Sequence, residues 1–268
     1  MRPNILAEKL RNGKIVLGLN NMYPASGIIE GMCAGWDFAW VDGQHGQHSV
    51  ESILHALQAA MAIGVDTLLR VPGHEHGILG PYADLCPSAI MVPMVDSAEE
   101  ARHIVAGLRF PPMGKRSYGG RRVIDLDGRD YFRERELLVI AQIETIEGVN
   151  GSEAIAATPG IDGLFFGPDD MKVRMGIPIN TGITENQEIR NAMERTARAA
   201  KLSGKIAGCV APTGAALRLA RDLGYQLIAA GSDIMFIRTA AAARLQELKT
   251  TLDDGHAAGN MPANSGAY

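Results

Sequence analysis

The sequence predicts an α/β protein built as a single-domain (β/α)8 TIM barrel, and three observations lead there. Its 268 residues match the roughly 250 that such barrels commonly occupy as one domain. Short apolar runs alternate with longer amphipathic ones along the chain, the rhythm of repeated βα units. Most of the short runs are continuously apolar, as expected of parallel strands covered on both faces. Counting strands does not by itself separate a closed barrel from an open doubly wound sheet. The steady alternation without a shift of composition points to one barrel over residues 1–252.

Taken in order, the strands are read at Lys14–Leu19, Phe38–Asp42, Thr67–Val71, Ala89–Val95, Leu137–Glu144, Gly163–Gly167, Lys205–Val210 and Gln226–Ala230. Between them, Ser49–Ala62 places Val50, Ile53, Leu54, Leu57 and Met61 on one helical stripe. Ser97 and Glu100 form a capping box opening a helix that carries Ala101, Ile104, Val105 and Leu108. Asn186–Leu202 and Pro212–Leu223 repeat the pattern, the second stopped by Gly224. Residues 253–268 are rich in Gly, Ala, Asn and Ser and lack an apolar period, which reads as a flexible C-terminal tail.

Composition excludes several function classes. Hydrophobic residues make up 46% and charged residues 21%, an ordinary globular balance. A net charge of −4 gives no electrostatic reason to expect nucleic acid or an anionic membrane. Cys33, Cys86 and Cys209 are scattered and without a CxxC pair, which argues against a disulfide framework and a structural zinc site and suits a reducing compartment. The opening MRPNILAEKLRNGK lacks the apolar core of a signal peptide. A cytoplasmic protein with a small-molecule substrate is the expectation.

In such a barrel the reactive groups stand where strands end. Asp42 ends the second strand and His45 follows it, Arg70 stands at the end of the third, Gln142 and Glu144 end the fifth, and Gly167 ends the sixth with Asp169 and Asp170 after it. Glu144 and Asp170 lie about one βα unit apart, so they are expected side by side at the rim of adjacent strands. Two carboxylates so placed repel unless a cation neutralises them, and oxygen ligands suit magnesium or manganese; a salt-bridged pair is the plainer alternative. His45, between Gly43 and Gly46, is a candidate for proton transfer, with Asp42 or Asp84 fixing its tautomer. Arg70 is either a clamp on a developing oxyanion or a structural salt bridge to Asp42 or Glu144. His74 and His76 form an HxH pair without a spaced third ligand and are read as loop residues. The Gly-rich segment Pro111–Gly120 lacks phosphate-loop spacing and is read as a pocket cover or a packing turn.

Six segments in this order resemble the HpcH/HpaI family of metal-dependent (class II) pyruvate aldolases, in the phosphoenolpyruvate/pyruvate barrel superfamily. They are VDGQHG around His45, LLRVP around Arg70, IMVPMVDSAEEA from Ile90, FPPMGKRSYGG from Phe110, QIET at Gln142 and FFGPDDM at Phe166. The resemblance implies a magnesium, manganese or cobalt ion on Glu144 and Asp170, chelated by pyruvate, with amides around Asp169 and Asp170 holding the carboxylate. It implies Arg70 at the enolate oxygen and His45 in proton traffic, supported by Asp42 and Asp84. The implied reaction is cleavage of a 4-hydroxy-2-oxo acid to pyruvate and an aldehyde, with the reverse addition. Decarboxylation of oxaloacetate at the same site, and a barrel that binds keto acids without chemistry, are the competing readings. The resemblance also implies a homo-oligomer, dimer or hexamer, in which the last helix, within Ile234–Leu252, is exchanged between subunits.

The chain departs from the family pattern at Gln44, Gly73 and Cys86-Pro87, and Met171 is followed by Lys172 and Arg174. The metal and enolate residues are untouched. The aldehyde partner is what these changes bear on, and Lys172 or Arg174 would recognise an acidic tail if either faces the pocket.

Overall fold

Parallel strands bury both faces only when something fills the inside and helices cover the outside, and the side-chain alternation of this chain supplies both. In the computed structural model, which describes residues 3–257, eight parallel strands pair in chain order and the eighth returns to the first, closing a barrel. They are β1 (Val16–Asn21), β2 (Phe38–Asp42), β3 (Asp66–Arg70), β4 (Ala89–Val92), β5 (Leu138–Ile143), β6 (Gly163–Phe166), β7 (Ile206–Val210) and β8 (Leu227–Ser232). Phe38 and Trp40, Leu68, Met91, Leu138 and Ile140, Phe165 and Leu227 point inward and fill the lumen. Their neighbours Ala39, Val41, Leu69, Ile90, Val139 and Leu164 point outward under the helices. Gly18 makes room for this filling, since a Cβ there would lie 2.2 Å from the Phe38 ring. From below, α1 (Ile5–Arg11) inserts Leu6, Ala7 and Leu10 into the same cluster, capped by the Asn4 side chain on the Ala7 N–H.

The outer layer contains α2 (Ser26–Met32), α3 (Val50–Ala62), α4 (His76–Asp84), α5 (Ala98–Leu108), α6 (Arg121–Asp127), α7 (Tyr131–Glu134), α8 (Ile146–Ala156), α9 (Pro168–Met175), α10 (Gln187–Leu202), α11 (Gly214–Asp222) and α12 (Asp233–Ala257). The Ser97–Glu100 capping box forms as expected. Strand limits differ from the expectation at β4, which stops at Val92. Pro93 has no N–H for the ladder, and Met94 turns into the left-handed region at φ 57°.

Segment Pro111–Gly120 does not cover this chain's strand exits. It follows α5 and leads through α6 and α7 to β5, within a helix-to-strand connection, and so belongs to the end where strands begin. Arg116 and the buried Tyr131, whose hydroxyl donates to the Gly119 carbonyl at 2.7 Å, pin it there as a packing turn. At the other end of the chain α12 continues past Asp253 to Ala257; the rest of the segment read as a tail lies outside the described residues. Among the described residues no helix is long and apolar enough to cross a membrane.

Candidate active site

The inward positions of each strand form layers, and the uppermost layer is polar. On β2 the inward series Phe38, Trp40 ends in Asp42; on β3, Leu68 is followed by Arg70; on β5, Leu138 and Ile140 lead to Gln142 and then Glu144. Asp42, Arg70, Gln142 and Glu144 are all buried. The two-residue alternation that packs the lumen thus delivers these four side chains to one rim.

Hydrogen bonds link them in a row. Arg70 Nε donates to Asp42 Oδ1 at 2.9 Å, and its Nη2 forms a short bond to Asp42 Oδ2. Arg70 Nη1 approaches Gln142 Oε1 at 3.5 Å, and Gln142 Nε2 donates to Glu144 Oε2 at 2.6 Å. The Trp40 ring lies 5.0 Å beneath the guanidinium. Burial alone would raise the Asp42 carboxyl. The hydrogen bonds and charge of Arg70, with the N–H groups of His45 and Gln44, outweigh that and hold it below its ordinary value.

Glu144 is in the opposite situation. Burial, reinforced by the like charge of Asp170 and only partly offset by the Met94 N–H, Arg70 and Arg174, pushes its carboxyl up to about 7. Its Oε1 accepts from the Met94 N–H at 2.9 Å. That backbone donor is a site element the sequence reading missed; a Pro directly after an apolar strand was the available signal. Gly167, just past β6, stands against the same carboxylate: a Cβ would meet Glu144 Oε2 and Gln142 Nε2, each at 2.9 Å.

Asp169 and Asp170 lie in the first turn of α9, whose N-cap Gly167 offers no side-chain cap, so the N–H groups of that turn point out of the helix. Asp169 is exposed, and its carboxylate pairs with the buried ammonium of Lys172, which also donates to the Ile179 carbonyl at 3.2 Å. Lys172 therefore ties α9 to its following loop. Arg174 lies on the other side of the helix, with Nη2 3.8 Å from Met94 Sδ and its charge felt at Glu144.

The site's histidine is arranged differently from the expectation. His45 is exposed and follows β2 directly, but Asp42 holds its backbone N–H at 3.2 Å rather than its ring. Asp84 ends α4, the helix that returns the chain toward the start of β4, and its carboxylate pairs with Arg116. Neither acid is hydrogen-bonded to the imidazole, because each is claimed by a guanidinium. The loop is anchored instead by His48, whose ring nitrogens contact the Ser52 hydroxyl and the Asn21 carbonyl, each at 3.2 Å. Asp233, fully buried after β8, accepts from Asn21 Nδ2 and the Met22 and Tyr23 N–H groups and so joins the two closing strands at the site end. His74 and His76 remain loop and helix-start residues, packed with the His103 ring.

The donor set fits a hard divalent cation. Glu144 and Asp170 are carboxylates whose mutual repulsion is only partly offset by Arg70 and Arg174, both Glu144 oxygens keep a free lone pair beyond one hydrogen bond each, and the missing Cβ of Gly167 leaves the carboxylate unobstructed. Among the described residues there is no group of three or more His, Cys, Asp or Glu side chains poised around one ion, so water and substrate would complete the coordination.

Comparison with known proteins bears on the barrel that carries these residues. The model for "HpcH/HpaI aldolase/citrate lyase" matches residues 25–240. A hydroxypyruvate/pyruvate aldolase of Chromohalobacter salexigens is 35% identical over 80% of this chain and 85% of its own. A 2-keto-3-deoxy-L-rhamnonate aldolase of Salmonella schwarzengrund is 30% identical over 92% of this chain and 94% of its own. Among solved structures, an HpcH/HpaI aldolase/citrate lyase family protein of Burkholderia cenocepacia superposes with a TM-score of 0.84 at 30% identity, covering 92% of this chain and all of that one. The family model spans β2 to β8 with the exits that carry Asp42, Arg70, Glu144 and Asp170, and the chain belongs to the HpcH/HpaI aldolase/citrate lyase family of carbon–carbon lyases.

Proposed function

We propose that the protein is a metal-dependent pyruvate aldolase that cleaves 4-hydroxy-2-oxo acids to pyruvate and an aldehyde and catalyses the reverse addition. The observation that carries this reading is the buried Glu144 carboxylate, raised toward neutrality beside Asp170 and open on the Gly167 side. Magnesium, manganese or cobalt held by Glu144 and Asp170 would supply Lewis-acid chemistry at a keto oxygen.

The remaining work falls to the chain's own groups. The N–H groups of Asp169 and Asp170 receive the substrate carboxylate at the start of α9. Arg70, fixed by Asp42 and flanked by Gln142, presents its guanidinium to the C2 oxygen as negative charge develops there. In the cleavage direction a proton leaves the 4-hydroxyl, the C3–C4 bond breaks, and its electron pair enters the C2–C3 bond of the pyruvate enolate as the aldehyde departs. A proton then returns to C3. The exposed imidazole of His45 takes and returns these protons. Among the described residues no lysine ends a strand, which agrees with metal chemistry over a Schiff base.

The assembly follows the same reading. Helix α12 leaves Met235, Phe236, Ile237, Leu245, Leu248 and Leu252 exposed, a row that exchange with a second copy would cover. A homo-oligomer is expected by light scattering, and removal of the chain after Ala243 should shift it to smaller species; a monomeric full chain would refute exchange.

The catalytic test is pyruvate release from a 4-hydroxy-2-oxo acid by chelator-stripped protein, with magnesium, manganese or cobalt added back and Glu144→Ala in parallel. Activity restored by metal and absent in the variant is the expected result. Metal-independent turnover would overturn the role of the metal, and pyruvate binding without turnover under every metal would overturn the aldolase reading in favour of a binding barrel.

A further inference from the structure

Asp169 and Lys172 form an ion pair within α9 that the proposed chemistry does not use. Asp169 is the second residue of the helix, after Pro168. An acidic side chain there is favoured by the helix dipole, and so is an external anion received by the N–H groups of the same turn. The two compete. Covalent geometry keeps the Asp169 carboxylate within about 5 Å of its own N–H, and a like charge at such a range disfavours a second anion unless it is neutralised.

Lys172 supplies the neutralising charge. Its side chain is 7% exposed, and its ammonium is engaged by Asp169 Oδ1 at 3.1 Å and the Ile179 carbonyl at 3.2 Å, so recognition of an acidic tail is not open to it. Burying an ammonium is costly, and fastening the following loop does not require one. Gly176 already closes α9 in the left-handed conformation, and the Ile177 N–H donates to the Lys172 carbonyl at 2.9 Å. The pair also stands apart from the carboxylates that fit a cation. Asp170, Arg70 and Arg174 are the charges that act on Glu144, and neither Asp169 nor Lys172 is among them.

We infer that Lys172 is a positioning residue for the carboxylate of the keto acid: it holds and neutralises Asp169, leaving the first turn of α9 to the substrate. This rests on the aldolase reading, which seats that carboxylate at the N–H groups of Asp169 and Asp170. Without the ammonium the turn would keep its donors but present them beside a free negative charge.

The sign of each substitution separates this role from a purely structural one. Lys172→Met removes the charge at nearly constant length and should weaken pyruvate binding about three- to fivefold, less so at high salt. Asp169→Asn removes the competing charge and should bind pyruvate at least as tightly as the wild type. The double variant should return to within about twofold of the wild type. A structural tie predicts instead that both single variants weaken binding and that the second substitution does not relieve the first.

Calorimetry on the full-length protein reads this, first with magnesium or manganese alone and then with pyruvate added to the metal-loaded form. Metal affinity should stay within about twofold in all four proteins, because the pair does not act on Glu144. An unchanged pyruvate constant in Lys172→Met, a parallel loss of metal affinity, or a double variant as weak as Lys172→Met would overturn the inference. A thermal melt of each variant precedes titration; if Lys172→Met does not fold, Lys172→Gln replaces it with the same expectation. Exchange of the pyruvate methyl protons with deuterated solvent in the metal-loaded wild type keeps the two readings apart. Exchange with a pyruvate constant indifferent to Lys172 removes only the role of Lys172, whereas neither exchange nor binding under any metal removes the aldolase reading and this inference together.

Discussion

Replacing Asp42 by Asn tests whether the site's row of hydrogen bonds begins where the structure puts its strongest pair. The Asp42 side chain is completely buried and that of Arg70 is 8% exposed. Loss of one partner from such a pair leaves a charge without compensation and costs about 3–5 kcal/mol. Here the lower end applies, because Arg70 keeps the Trp40 ring at 5.0 Å and Gln142 at 3.5 Å. For a chain of this size that corresponds to a fall in Tm of about 6–12 °C. Urea unfolding of chelator-treated protein would measure it, as a shift of midpoint at constant slope. The sign with pH is fixed as well. Asp42 titrates below its ordinary value in the fold, so its stabilisation is complete above the usual carboxylate range and is lost as pH falls through the depressed value. The deficit of the Asn variant should therefore shrink on acidification. Adding Arg70→Met to Asp42→Asn removes the orphaned cation and should restore part of the loss. A deficit below about 1 kcal/mol, or a double variant no more stable than the single one, would refute the pairing as the anchor of the site.

Three further outcomes follow from the same geometry. With Glu144 titrating at about 7 in the metal-free chain, uptake of a divalent ion at pH 7 should release about half a proton and almost none above pH 9; calorimetry in buffers of different ionisation enthalpy reads this directly. Gly167→Ala should lower kcat/KM at least about tenfold while costing only about 1–3 kcal/mol of stability, because the new Cβ would lie 2.9 Å from Glu144 Oε2; steady-state kinetics and a thermal melt check the two parts. Met94→Gly should stay within about 1 kcal/mol of the wild type, while Met94→Val should lose about 1–2 kcal/mol, since φ at this position is 57°; paired denaturation curves decide it.

The rim residues were legible because two simple rules converge on them. Strand alternation puts every second residue in the lumen, and barrel chemistry belongs to strand exits; Asp42, Arg70, Gln142, Glu144 and Gly167 satisfy both. What stayed hidden has physical causes. The Met94 N–H is a backbone donor, and no side-chain type announces it; its left-handed φ is adopted by a residue with no preference for that region. The partners of Asp42 and Asp84 depend on which guanidinium arrives from a distant segment, and Arg116 arrives from the connection after α5. Helix α4 contains Gly77, Gly80 and Pro81, which break the apolar period that revealed α3 and α5. Asn20 and Asn21 looked like a strand end because they are polar, yet both belong to β1, and Asn21 is bonded to the buried Asp233.

Arg70 shows why a structural and a chemical reading of one residue need not compete. Read from the sequence, it was either a salt bridge or a clamp for an oxyanion. A guanidinium has five N–H donors in a fixed plane, and Asp42 takes the edge formed by Nε and Nη2. That leaves Nη1, directed toward Gln142 at a long 3.5 Å, as the weakly engaged donor on the side where Gln142 and Glu144 stand. A free Arg at this rim would have to be ordered at the moment of reaction, at a cost in side-chain entropy of about 2 kcal/mol. Bound to Asp42 over the Trp40 ring, it is already ordered, and its charge is felt at Glu144. On the proposed reading the salt bridge is thus the condition for the clamp: it fixes the cation's plane and leaves its outer donor aimed along the row that ends at Glu144.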